Sequence, residues 1–397
     1  MKPLEGFRVL DFTSMVSGPF AGAILAEQGA EVIKIEPPQG EQMRRGGSAQ
    51  NGIPSIYYSC NRGKKSLCID LKKPAGVEVI LEMFEQCDVV LQNFRPGVVD
   101  RMGIGYAAAH ARNPKIVYVS VSGFGQRGPY AHQRVYDPVI QALSGATDIQ
   151  ADRVTQEPAM MRTVVADKVT SLTAAQAVSS ALLQRVRTGE GQHIDISMLD
   201  ATLAFFWPGA MSNFTFAEKE SDPKQNQWSK DLIFATKDGH ITAGAISESE
   251  WQGLCRALNR EHLLTDPRFE TPQVRVQHAE DRLQEMTEAI AEFSSAEILA
   301  RLDAHQVPSA PILSRKDLLT HEQLLSNGSI QFHNIEGFGE VRQATPAARF
   351  GNEPTTVNVP APQLGEHSRD ILSSLGYEQK DIEALIENHT VVVAEEA

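Results

Sequence analysis

The 397-residue chain exceeds one small domain; at about 150 residues per domain it makes two or three units, or one elaborated α/β unit. Hydrophobic residues at 42% and charged residues at 22% give an ordinary globular balance, which excludes a disordered or fibrous chain. Thirty-seven Lys+Arg against 50 Asp+Glu leave a net charge of -13, which disfavours nucleic acid or an anionic membrane but still allows a local basic pocket for a phosphorylated ligand.

In chain order, Arg8 to Phe12 reads as a short apolar strand, Gly18 to Gln28 as a small-residue helix stopped by Gly29, and Glu31 to Glu36 as a second strand. Pro74 suits a first helical turn, and Val77, Ile80, Leu81 and Phe84 follow at the spacing of a helix packed on a sheet. Asp88 to Leu91 and Lys115 to Val121 are apolar enough for buried parallel strands, so the first half predicts right-handed βαβ units. Asp167 begins another helix, with Leu172, Ala175, Ser179, Leu182, Leu183 and Val186 on one face and Gly189 at its end; His193 to Ser197 then alternates as a strand. Residues 206–230 read as a linker without period. Strands around Phe234 and Ile241, and helices near 249–258, 279–292 and 295–304, predict a smaller α+β domain over 231–324. From about 325 the chain is punctuated by Gly and Pro, then enters a helix from Ser368 through Leu375.

Cys60, Cys68, Cys87 and Cys255 are scattered, without a C-x-x-C pair, so reduced thiols and no metal site are expected. The opening residues lack a signal-peptide stretch and no run reaches the roughly 18 apolar residues of a membrane span; a cytoplasmic protein is expected. Gly123-Phe124-Gly125-Gln126-Arg127-Gly128 is a literal G-x-G-x-x-G after a strand. A nicotinamide site needs that motif to open a helix, and Pro129 and Tyr130 follow it instead, so it reads as a Gly-rich turn. No nucleophile elbow, P-loop or H-E-x-x-H occurs. A dispersed histidine such as His193 reads as structural. Asp167 has two readings: a helix cap on free amides, or an ionised carboxylate at the sheet edge where α/β ligands collect. Spacing leaves both open.

Several segments in order resemble the family III CoA-transferases. They are Pro3 to Phe12, Ser17-Gly18-Pro19, Gly29 to Pro38, Asn61-Arg62-Gly63-Lys64-Lys65-Ser66, Ile69-Asp70-Leu71-Lys72, Asn93-Phe94-Arg95-Pro96-Gly97, Ser122 to Tyr130 and Thr188 to Gln192. Asp266-Pro267-Arg268-Phe269 and Leu364-Gly365-Glu366-His367 continue the series, so the likeness covers almost the whole chain. It implies an α/β fold with a Rossmann-like large domain (1–205 with 325–397) and the smaller α+β domain, in ring-shaped chains interlocked as a homodimer. It also implies CoA transfer from an acyl-CoA to a small carboxylic acid through covalent intermediates on Asp167, with coenzyme A as substrate and no tightly bound cofactor.

By the same resemblance, Asn93, Phe94, Arg101 and Met102 match positions lining the CoA channel. Arg134 and Lys72 fall near its phosphates, and Tyr136 and Met198 near Asp167. Two departures bear on the acyl group. Val16 stands where some members carry a polar Gln beside the reacting carbonyl, and Lys237 to Ala245 lacks the glycine run of the formyl-CoA/oxalate branch. Oxalate is therefore not the favoured acceptor. Two rivals stay open: an α-methylacyl-CoA racemase, which needs an acid/base partner where Tyr136 stands with a phenol of pKa about 10, and a catalytically inactive CoA-binding protein.

Overall fold

Strands alternating with helices build the first half of the chain. The computed structural model describes residues 2–152, 155–220, 231–352 and 359–394. Its elements begin β1 (Arg8–Asp11), α1 (Ser17–Glu27), β2 (Glu31–Glu36), β3 (Ala49–Gln50), β4 (Ile53–Pro54), α2 (Ser55–Asn61), β5 (Lys65–Ile69) and α3 (Pro74–Gln86). Next come β6 (Val89–Gln92), α4 (Val98–Arg101), α5 (Tyr106–Arg112), β7 (Val117–Ser122), α6 (Asp137–Leu143), α7 (Ala146–Ile149), α8 (Val165–Thr188), β8 (Gln192–Ser197) and α9 (Met198–Ala210). A second group holds β9 (Phe234–Ala235), β10 (His240–Ala243), α10 (Glu248–Ala257), α11 (Pro272–Gln277), α12 (Ala279–Ile290), α13 (Ser295–Ala304), β11 (Ser309–Pro311) and α14 (Glu322–Ser326). The chain ends with β12 (Ile330–Ile335), β13 (Gly339–Ala344), α15 (Ser368–Ser374), α16 (Gln379–Glu387) and β14 (Val391–Val392).

Two units result: Met1–Trp207 with Ser326–Ala397, and Pro208–Leu325. In the first, seven strands lie in the order β14-β5-β2-β1-β6-β7-β8, parallel throughout except for the edge strand β14. Leaving that edge aside, this is the doubly wound order 3-2-1-4-5-6, whose direction reverses between β1 and β6. Leu10, Ile33, Val90 and Tyr118 face one way, into a core closed by α3, α5, α15 and α16. Val9, Val32, Val89, Leu91, Val117 and Val119 face the other, under α1 and α8. Burial on both faces explains why these strands are runs of Val, Ile and Leu.

In the second unit, an antiparallel sheet β11-β10-β9 packs Phe234 and Ile241 against Trp251, Leu254, Met286, Ile290, Ile298 and Leu302. A capping box opens α10: the Ser247 hydroxyl accepts the Glu250 amide at 3.3 Å, and the Glu250 carboxylate accepts the Ser247 amide at 2.8 Å.

The structure corrects several sequence expectations. Phe206 and Trp207 continue α9, which leaves helical geometry at Pro208 and Gly209; 221–230 lie outside the described residues. The stretch after 325 contains the antiparallel hairpin β12–β13. On α8 the buried face is Ala174, Ala175, Val178, Ala181 and Leu182, whereas Leu172, Leu183 and Val186 are exposed. Small residues face α1 because two helices that meet through alanine and glycine approach closely, as α1 does with Ala21 and Gly22.

Candidate active site

The strand order places a crevice beyond the carboxyl ends of β1 and β6, where ligands of doubly wound sheets bind. Two loops meet there, Phe12 to Val16 and Asn93 to Gly97. Asn93 joins them: its Oδ1 accepts the Ser14 amide at 2.9 Å and its Nδ2 donates to the Ser14 carbonyl at 2.8 Å. Beneath the first loop lies a buried charge cluster. Lys64 Nζ reaches Asp11 Oδ2 at 2.7 Å, the Pro19 carbonyl at 2.7 Å and Asn61 Oδ1 at 2.8 Å. Burial alone would raise the Asp11 carboxyl, but Lys64 and Lys34 facing it hold it below the usual carboxylate range. The other Asp11 oxygen accepts the Thr13 amide at 2.9 Å and the Thr13 hydroxyl. Gly18 is required by the resulting turn, because a Cβ there would stand 2.3 Å from the Thr13 side chain.

Asp167 sits in the first turn of α8, a helix that starts at Val165. It is therefore inside the helix rather than its cap, and the cap expectation is corrected: Val164 precedes the helix without a side-chain cap. Asp137 takes the capping role from another element. Its Oδ2 accepts the Asp167 amide at 3.0 Å, while its Oδ1 accepts Gln141 Nε2 at 2.6 Å. Gln141 in turn accepts the Met161 amide at 2.9 Å and donates to the Thr163 carbonyl at 3.1 Å, fixing the segment that leads into α8. The Ser171 hydroxyl lies 2.6 Å from the Ser17 carbonyl and 2.8 Å from the Asp167 carbonyl, tying α1 to α8 at this level. Burial pushes the Asp167 carboxyl up from 3.8 to about 6, Asp137 adds repulsion, and the Ser17 hydroxyl and amide oppose both. The result is a half-buried carboxylate at the amino end of α1, ionised at neutral pH yet poorly solvated.

The other sequence-predicted residues fall into three groups. Val16 is buried and caps α1, and Met198 is buried at the head of α9 in the same apolar layer as Ala166. Phe94 and Met102 pack against the opposite layer with Val99 and Ile104, so they are not brought against Asp167. Lys72, Arg101 and Arg134 are exposed and form no ion pair among the described residues; Tyr136 is exposed beside Asp137. Sequence reasoning missed Ser17, Asp137 and Gln141 as site residues. The Asp137-Pro138 pair at a helix start was the available signal.

His193 is structural as expected. It stacks on Tyr106 at 4.7 Å, and its Nε2 meets Ser120 Oγ at 2.8 Å. Ser120 accepts Gln92 Nε2 at 2.8 Å, and Gln92 Oε1 accepts the Phe94 amide at 2.8 Å, so this chain of contacts braces the second loop over a cavity of about 50 Å³. The Gly123 to Gly128 stretch ends β7 without opening a helix; α6 starts only at Asp137. Among the described residues no group of three His, Cys, Asp or Glu could hold a metal ion, and no helix is long and apolar enough to cross a membrane.

Fold and site together define a Rossmann-type α/β protein with a half-buried carboxylate, Asp167, beside its switch point. Over residues 4–368 the chain matches the family model CoA-transferase family III; it belongs to that family and is an enzyme of that class. It is 34% identical to the succinyl-CoA:glutarate CoA-transferase of Mus musculus, over 97% of this chain and 89% of the mouse protein. It is 29% identical to the formyl-CoA:oxalate CoA-transferase of Streptomyces coelicolor, over 97% and 98% of the two chains. The crystal structure of Rv3272 from Mycobacterium tuberculosis superposes with a TM-score of 0.82 at 29% identity, covering 93% of this chain and 98% of that one.

Proposed function

We propose that this protein moves coenzyme A from an acyl-CoA thioester to a free carboxylic acid, with Asp167 as the covalent nucleophile. The observation that carries the reading is the half-buried Asp167 carboxylate held between the Ser17 donors and Asp137 at the switch point. One Asp167 oxygen attacks the thioester carbonyl and the C–S bond breaks, leaving an acyl-aspartyl anhydride and CoA thiolate. The thiolate attacks the Asp167 carbonyl carbon and displaces the first acid, giving an aspartyl-CoA thioester. The acceptor carboxylate then reverses the two steps and regenerates the Asp167 carboxylate, so no net proton is consumed. Both intermediates hydrolyse readily, and a poorly solvated site protects them.

In this reading Asn93, Phe94, Arg101 and Met102 line the CoA channel, Arg134 and Lys72 meet its phosphates, and Val16, Tyr136 and Met198 surround the acyl group. The exposure of the three cations, which form no ion pair among the described residues, suits an anionic ligand. Val16 and the absence of a glycine run in Lys237 to Ala245 argue against oxalate as acceptor. The groups acting on the Asp167 carboxyl are Ser17 and Asp137, neither an imidazole, which favours transfer over the acid–base racemase. The interlocked homodimer is part of the proposal. Its support is the exposed apolar face of α6 (Val139, Leu143) and of α8 (Leu172, Leu183, Val186), which a second chain would cover.

The test mixes the protein with acetyl-, succinyl- or a branched acyl-CoA, quenches with hydroxylamine and maps the peptides by mass. A hydroxamate on the Asp167 peptide is expected, and the acyl-CoA that gives it names the donor class. Absence of label with every donor, together with α-hydrogen exchange of a branched acyl-CoA in heavy water, would establish the racemase. Because the carboxylate must be ionised to attack, kcat/KM should rise with pH through a limb near 6 and level off above it.

A further inference from the structure

The loop between β1 and α1 is held by buried and half-buried side chains at successive backbone groups. Asp11 takes the Thr13 amide at 2.9 Å, Lys34 Nζ donates to the Thr13 carbonyl at 2.9 Å, and Asn93 takes both polar groups of Ser14. Met15 comes next with φ at 69°, in the left-handed region that a side chain disfavours. Its amide donates to Glu41 Oε2 at 2.8 Å. The other Glu41 oxygen faces Lys34 Nζ at 3.0 Å, and both side chains are buried. Val16 follows, its carbonyl accepting the Phe20 amide at 2.9 Å as α1 begins, and then Ser17, whose hydroxyl and amide act on Asp167.

We propose that Glu41 is a positioning residue for acyl transfer: by gripping the Met15 amide it locks the left-handed turn that sets the first residue of α1 against Asp167. A buried ion pair is a weak source of net stability, whereas a strained non-glycine residue persists only where its surroundings force it. Both features converge on one amide, two residues before the Ser17 donors. The inference rests on the reading of Asp167 as nucleophile and adds a residue from the loop after β2.

The test is the substitution Glu41→Gln, which keeps the shape. In the same pose glutamine puts its oxygen at one of the two positions and an NH2 group at the other; the charged Lys34 ammonium takes the oxygen, which leaves the Met15 amide facing an N–H. Expected is a fall in kcat of about 10- to 100-fold, the scale of a misplacement of about 1 Å, with KM for the acyl-CoA changed by less than about threefold. Adding Met15→Gly should restore at least about fivefold of the lost kcat, since glycine adopts the left-handed turn without a clamp. Met15→Ile leaves the Glu41–Lys34 pair intact and strains the same turn, so it should lower kcat likewise, and it decides the matter if Glu41→Gln does not fold. An unchanged kcat in Glu41→Gln, a loss that Met15→Gly does not relieve, or a wild-type rate in Met15→Ile would each overturn the proposal. Hydroxylamine labelling separates the two readings: failure to label Asp167 in the wild type removes the nucleophile, whereas wild-type labelling rates in Glu41→Gln remove the positioning role alone.

Discussion

Asp167→Asn should abolish CoA transfer, by about 10⁴-fold or more in kcat, and should at the same time stabilise the protein above pH 7. The two effects share one cause. Burial and Asp137 raise the folded-state pKa of Asp167 from 3.8 to about 6, so the ionised form that the proposed mechanism requires is the form that folding disfavours. A carboxyl whose pKa is raised on folding contributes stability that is complete below the unfolded value and is lost as pH rises through the folded one. At about 1.4 kcal/mol per unit, removing the charge is worth about 1–3 kcal/mol at pH 8 after allowance for partial solvation, and nothing below about pH 4. Asparagine keeps an acceptor oxygen for the Ser17 donors, so the change tests charge more than shape. Thermal unfolding of variant and wild type at pH 4 and pH 8 reads the gap. A variant less stable than wild type at pH 8 would mean that its surroundings stabilise the Asp167 carboxylate instead of straining it.

The parts of this fold legible in the sequence are those whose burial is two-sided. Val89 to Leu91 and Ile116 to Val119 are apolar runs because helices cover both faces of the sheet, and the run itself is the signal. The buried face of α8 was not legible. Its packing depends on small residues admitting α1, so Leu172, Leu183 and Val186, which periodicity assigns to the core, lie outside it. The hairpin β12–β13 escaped because its strands are half exposed and carry His333, Asn334, Glu340 and Arg342 among their apolar positions. For the site, spacing could not separate Asp167 the cap from Asp167 the nucleophile. The surroundings of its carboxyl are three-dimensional: Ser17 arrives from the first turn of α1 and Asp137 from the start of α6, both far from Asp167 in sequence.

Lys64→Met should destabilise the Rossmann-type unit by about 3–5 kcal/mol, the effect of leaving a buried carboxylate without its partner. Lys64 and Asp11 are both fully buried, on the sheet face beneath α1, and the ammonium is satisfied by Asp11, Asn61 and the Pro19 carbonyl. Methionine fills nearly the same volume, so the loss reports charge and hydrogen bonding, not a cavity. The pH dependence follows in sign. In the wild type the Asp11 carboxyl is held below its ordinary value, so its contribution is present above about pH 4 and lost as pH falls through the folded pKa. The deficit of Lys64→Met should therefore shrink toward low pH. Adding Asp11→Asn removes the stranded charge while keeping an acceptor for the Thr13 amide, and the double variant should regain most of the loss, short of the acceptors left by Pro19 and Asn61. Amide exchange of β1 and β5 gives the local stability without requiring the two units to unfold together. If the single and double variants are equally destabilised, the pair contributes through packing alone. If the double variant recovers stability but its kcat stays low, the cluster's role is to shape the loop before α1.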